Sequence, residues 1–291
     1  MSITRHTLAV LVGAMLLTAL TAGPAVAKGP IGLAVPQPEP ELTAAEEAAS
    51  AAKIAAAEAY LASKDVRAAD LVSLACVTPN GGSLDASTQA GCTTPYATLS
   101  VEARDQVKSY YCGPAVGQVI ANYAWAVGAG ANKYSQATIA GWMKTDINGY
   151  TNASELVAGL EAGTRNAPRR PAGWVWVITR LTDTDRDGLF ADQLHGYVRA
   201  SVSNSRMPLA VPVKPHDRNS QYRLSSWPRP VASPGHWIAL YGWYATWTNS
   251  DTPQLAYTDS SRDEGGSTGK FWDPTRHISA LIMEHTQRFV W

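Results

Sequence analysis

Cys112 stands at the head of an apolar, helix-spaced run, and a sulfur in that position can do chemistry. In Gln106-Val-Lys-Ser-Tyr-Tyr-Cys112-Gly113-Pro114-Ala115, the next apolar residues are Val116, Val119, Ile120 and Tyr123. Their three- and four-residue steps predict a buried helix from Ala115 on. Pro114 suits a first helical turn, where its missing N–H would find no acceptor. Gly113 is expected to let the backbone turn tightly just before it. A thiol there faces unpaired N–H groups and the positive end of the helix dipole. With a cation beside it, such a thiol ionises at roughly pH 3.5–7.5, and the thiolate is the nucleophile. Gln106, a few residues upstream, could bring a side-chain N–H to the same spot. A cysteine before a helix can equally be an inert buried side chain, so the rest of the chain has to decide.

Other segments carry a resemblance. A Gln six residues before a Cys that opens a long helix is similar to the papain-like cysteine peptidases. The Cys-Gly-Pro-Ala form after an aromatic resembles cysteine peptidase family 39, the bacteriocin-leader-processing type, and its secreted relatives. Tyr134-Ser-Gln-Ala-Thr-Ile-Ala-Gly-Trp-Met and Asn148-Gly-Tyr-Thr-Asn-Ala-Ser-Glu-Leu resemble that family's helical stretch after the nucleophile. Pro208-Leu-Ala-Val-Pro-Val213 is similar to its first inner strand, and Gly235-His236-Trp-Ile-Ala-Leu-Tyr-Gly242-Trp to its histidine strand. The resemblance runs over roughly residues 100–291.

The resemblance implies an α+β, papain-like fold in which the nucleophile helix packs on a mostly antiparallel sheet. It implies a secreted cysteine peptidase with Cys112 as nucleophile and His236 as its acid–base partner. Gln106 and the Cys112 N–H would form the oxyanion hole. The family's next inner strand ends in an Asp that orients the imidazole; Gln254-Leu-Ala-Tyr-Thr-Asp259 fits that place, with Asp273 in Phe-Trp-Asp-Pro, after a Gly/Ser-rich loop, as its rival. The partner is a peptide or protein substrate, with no cofactor. An acyl-transferase on the same fold would use the same residues, and a secreted binding module could keep the fold without the chemistry. His195, His216, His277 and His285 have no comparable settings, and no histidine pair has zinc-ligand spacing.

Residues 1–27 read as a secretory signal: Arg5 and His6, an apolar run from Leu8 to Leu20, then Ala25-Val-Ala27. Neither that run nor any later one is long enough to span a bilayer. Removing this segment takes Arg5 from the 24 basic residues, leaving 23 against 24 acidic ones and a net charge of −1. Such a balance gives no electrostatic case for nucleic acid or an anionic membrane, and oligomeric state is not legible. In an exported chain, the three cysteines suggest one disulfide and one free thiol. Three pairings are open. The turn-rich segment after Cys76 favours Cys76–Cys92, a closure worth about 3 kcal/mol in the chain-entropy model.

Residues 28–70 comprise a Gly/Pro-rich leader and an Ala/Glu-rich helix, opened by the capping box Thr43-Ala-Ala-Glu46 and running to Lys64. Its few large apolar groups, Ile54, Tyr60 and Leu61, suit a solvated spacer better than an inhibitory pro-segment. Residues 71–291 form the peptidase-like domain. Within it, Ser135 and Thr151 or Asn152 would cap two short helices ending near Lys144 and Glu161. Gly173 to Thr179 reads as a strand and Leu189 to Ser203 as a helix. Between them, Asp183, Asp185 and Asp187, followed by Gly188, alternate as calcium-loop carboxylates do. Position twelve of that loop would be Leu194 in place of the bidentate Glu, so a solvated acidic turn is the other reading. Residues 214–234 read as a Pro-rich loop at the cleft, with Trp227 either a substrate contact or part of the loop's own packing. A final strand is expected within Ile278 to Trp291.

Overall fold

The computed structural model describes residues 39–65, 96–145, 151–182, 190–214, 222–228, 235–245, 253–261 and 266–291. It is an α+β molecule of six α-helices and a seven-stranded antiparallel sheet among those residues. The helices are α1 (Ala44–Asp65), α2 (Cys112–Ala124), α3 (Gln136–Met143), α4 (Ala153–Thr164), α5 (Ala191–Ala200) and α6 (Thr275–Met283). The strands are β1 (Tyr96–Thr98), β2 (Ile178–Arg180), β3 (Leu209–Val213), β4 (His236–Tyr244), β5 (Gln254–Asp259), β6 (Gly269–Pro274) and β7 (Arg288–Val290).

The sheet runs in the order β2-β7-β3-β4-β5-β6. β3 and β1 share one edge of β4: β3 covers His236 to Leu240, and β1 covers Gly242 to Tyr244. β4 is therefore enclosed by partners on both sides, as a strand that is apolar on both faces should be. The β4–β5 register sets Ala239 opposite Thr258, so the start of β4, with His236, lies at the end of β5, with Asp259.

Helix α2 lies against β4 and packs with α3 and α4 in one layer. Every residue of α2 is buried. Burying a side chain such as Ile120 or Val119 contributes about 1.5–3 kcal/mol, so the helix is held by packing and not by its ends. The helix begins at Cys112, three residues earlier than the apolar spacing predicts. Gly113 is inside the first turn, not before it, and Pro114 is the third helical residue. Glycine is required at 113 for a different reason: a Cβ there would lie 2.4 Å from the Thr151 hydroxyl oxygen. α3 and α4 follow their caps, Ser135 and the Asn152–Glu155 capping box.

Several elements depart from the sequence reading. Strand β2 is short, and Trp174 and Trp176 precede it outside any pairing; their alternation reflects packing, with Trp176 Nε1 donating to Thr164 Oγ1. Beyond Ala200, α5 gives way to a π-helical turn, Ser201–Ser205. The Gly/Ser-rich stretch before Asp273 leads into β6, paired along its length with β5. Within Ile278 to Trp291 the expected strand is β7, inserted between β2 and β3; the residues up to Met283 complete α6, whose Ile278, Leu281 and Ile282 share one face.

Helix α1 is docked rather than solvated. Thr43 and Glu46 make the expected reciprocal cap. The helix packs on α5 and β2, with Ser50 hydrogen-bonded to Thr179 at 2.8 Å. The Lys53 ammonium donates to Val175 O and sits 3.4 Å above the Trp174 ring. Long charged side chains hold apolar surface in this way, which the count of large hydrophobics alone does not show. Among the described residues, no helix is long and apolar enough to cross a membrane. The expected signal segment 1–27, the expected leader up to 38, Cys76, Cys92, Asp183, Asp185, Asp187 and His216 lie outside the described residues.

Candidate active site

Cys112 is free and only 4% exposed. No side chain caps its helix, whose first N–H groups lack intrahelical acceptors. The sulfur is hydrogen-bonded to the His236 ring and receives the backbone N–H groups of Trp237 and Gly113. Burial pushes this thiol up. The hydrogen bond and charge of His236, with the two N–H groups, outweigh burial and bring the net value below the ordinary thiol range.

His236 Nε2 lies 2.9 Å from Asp259 Oδ1, which leaves Nδ1 for the sulfur. Burial alone would make this ring neutral. The Asp259 charge and hydrogen bond, followed by Cys112, raise it to about 10. Asp259 is fully buried. Burial raises its carboxyl, yet His236, the Ser261 N–H and Ser226 together hold it below the usual carboxylate value. All three directions favour one charge state: thiolate, imidazolium, carboxylate.

Asp259 accepts four hydrogen bonds. Oδ1 takes His236 and the Ser261 N–H, at 2.9 Å each; Oδ2 takes Ser226 Oγ and Trp227 Nε1, at 2.7 Å each. A carboxylate so surrounded keeps its charge when buried. Trp227 is therefore a wall of the site and not an exposed substrate contact: it is 1% exposed, and its ring meets that of His236 edge-on at 5.5 Å.

Gln106 is tied to the same end of β5. Its N–H donates to Ser260 O at 2.8 Å, and Ser260 Oγ donates to its Oε1 at 3.4 Å. Nε2 donates to Ser109 O, three residues before Cys112, and the carboxamide carries a second N–H. A buried amide network fixes this segment: Gln136 accepts from Val107 N and donates to Asp105 O and Gln118 Oε1.

The structure thus brings together Cys112, His236 and Asp259, with Gln106 anchored beside Asp259. Asp273 is not at the ring. Its Oδ2 accepts from Ser225 N and the Tyr257 hydroxyl, both at 2.8 Å. His195 and His285 are half-buried, neither has a carboxylate partner among the described residues, and loss of water lowers each to about 4. Among the described residues, no group of three metal-ligating side chains converges.

Sequence reasoning missed Ser226, the Trp227 indole, the Trp237 N–H and Thr151, whose carbonyl accepts from Trp237 Nε1. Only Trp227, singled out in a loop just before the histidine, carried a signal. No protein-family model matches the chain, and a comparison with curated proteins finds no match.

Proposed function

We propose that the chain is a secreted thiol hydrolase of papain-like type, cleaving peptide or amide bonds with Cys112 as nucleophile. One observation carries this reading: an unpaired thiol at a helix N-terminus is bonded to an imidazole whose other nitrogen is held by a buried carboxylate. A thiolate–imidazolium pair of this kind is the activated form of a cysteine nucleophile.

In the proposed reaction, Cys112 Sγ attacks the substrate carbonyl carbon, and the π electrons move to oxygen. The Cys112 N–H, at the open end of α2, and the remaining Gln106 amide N–H stabilise that oxyanion. Each such donor is worth about 3 kcal/mol. His236 delivers its proton to the leaving nitrogen as the C–N bond breaks, leaving an acyl thioester and a free amine. His236 then takes a proton from water, whose oxygen attacks the thioester; the acid departs and the thiolate returns. Asp259 holds the ring orientation throughout and is not itself protonated.

The test is peptide cleavage in heavy-oxygen water. New C-termini should carry the heavy oxygen, and Cys112→Ala should abolish them. Cleavage that persists in Cys112→Ala, or peptides left intact by the wild type, would refute the proposal.

A further inference from the structure

Tyr257 and Asp259 lie two apart on β5 and therefore share a face. Tyr257 pairs with Phe271, so Asp273, two further along β6, joins that face. The turn carrying Leu224 to Trp227 lies across it, with Ser225 N, Ser226 N and the Ser226 hydroxyl all bonded to these side chains. Building on the hydrolase reading, we infer that Asp273 is a positioning residue. It acts on the catalytic carboxylate, two hydroxyls away, through Tyr257 and Ser226.

A proton count gives the direction. The Tyr257 hydroxyl has one proton to give. Its shortest contact is Asp273 Oδ2 at 2.8 Å, against 3.1 Å to Ser226 Oγ and 3.2 Å to Ser225 Oγ. With that proton on Asp273, the Tyr257 oxygen is left as an acceptor, and it receives the Ser226 N–H at 3.2 Å. Ser226 also has one hydroxyl proton, and it goes to Asp259 Oδ2 at 2.7 Å. Asp273 thereby keeps the Tyr257 oxygen as the acceptor of the Ser226 N–H, which holds the Ser226 backbone where its hydroxyl reaches Asp259. The same carboxylate holds Ser225 N, which fixes the turn that brings Trp227 Nε1 to Asp259. Asp273 controls two of the four donors to Asp259 without touching it.

Partners one layer outside a metal site are typically worth 10–100-fold, and an effect of that order is expected here. The experiment measures the rate of Cys112 alkylation by iodoacetamide against pH in the wild type, Asp273→Asn and Tyr257→Phe. The wild type should react fast and evenly around neutrality. Both variants should lose on the order of tenfold there and acquire a rising pH profile, as the thiol returns toward its ordinary value. Tyr257→Phe removes one oxygen and no charge, so it serves if Asp273→Asn does not fold. Folded variants with the wild-type profile, even at a lowered melting temperature, would mean that Asp273 is only structural and would overturn the inference. A wild-type thiol that reacts only above about pH 8.5, the free-cysteine value, would overturn the hydrolase reading and the inference with it.

Discussion

A histidine stands at each end of strand β4, His236 on the strand and His195 on α5 beside it, and the two are in opposite states. His236 opens the strand against Asp259 and is raised to about 10. His195 packs edge-on against Trp243 near the other end and is lowered to about 4. Burial alone keeps an imidazole neutral, because the charged form loses its water. At His195 a backbone hydrogen bond with Tyr244 opposes this too weakly to win, the Arg199 charge reinforces it, and among the described residues its Nε2 has no hydrogen-bond partner. At His236 a carboxylate with four donors reverses the outcome. The difference between an inert ring and a proton carrier is thus one neighbour, and that neighbour depends on the turn that supplies Ser226 and Trp227.

Asp259→Asn is the sharpest way to erase the contrast. It removes the charge but keeps the shape, and should bring the His236 ring down toward the His195 state. By analogy with the serine-protease triad, turnover should fall on the order of 10⁴-fold, read from peptide cleavage at neutral pH. A loss under tenfold would mean that Asp259 does not set the ring's state.

Stability against pH should show the two kinds of histidine on opposite limbs. His195 and His285 are depressed bases: between about pH 6.5 and about pH 4 the unfolded chain binds protons that the folded chain refuses. Stability is therefore full above about 6.5 and falls as pH drops toward 4, by up to about 1.4 kcal/mol per pH unit for each ring. His236 has the opposite sign. Its contribution is full below about 6.5 and is lost as pH rises through about 10. Urea midpoints across pH should show both limbs, with His195→Gln flattening the acid one and Asp259→Asn the alkaline one.

Gly113→Ala tests the packing that sets the sulfur beside the ring. The new methyl would collide with Thr151, at a cost of about 1–3 kcal/mol. Chemical denaturation should recover most of that loss in the double variant with Thr151→Gly. An effect of similar size is expected from Trp227→Phe, which keeps the ring wall but removes one of four donors to Asp259. Losing a hydrogen bond to a charged group costs about 1.5–3 kcal/mol, so peptide cleavage should slow by roughly tenfold or more. Wild-type turnover would show the indole N–H to be dispensable.

Much of this site is legible in the sequence because its reactive residues stand where elements begin or end. Cys112 heads a run with helical period, His236 heads a run that is apolar on both faces, and Asp259 is the carboxylate that ends a strand. The caps Ser135, Asn152 and Thr43 are local chemistry and read directly. What stays hidden is set by register and packing. Whether Asp259 or Asp273 meets the ring depends on how β6 lies beside β5, and the glycines and serines before β6 obscure that strand. Ser226 is an ordinary polar residue until the turn folds onto Asp259. The closing strand expected within Ile278 to Trp291 is β7, while the helix before it, marked by the three- and four-residue spacing of Ile278, Leu281 and Ile282, is not singled out by the sequence reading. Lys53 is a case where a charge, not a hydrophobic stripe, fastens a helix.

The central claim is a charged His236 beside a charged Cys112, and nitrogen NMR of the His236 ring reads it directly. Near pH 8.5, where an ordinary imidazole with its value near 6.5 has lost its proton, the ring should still carry protons on both nitrogens, and should lose one in Asp259→Asn. A singly protonated, neutral His236 ring in the wild type at that pH would contradict the account.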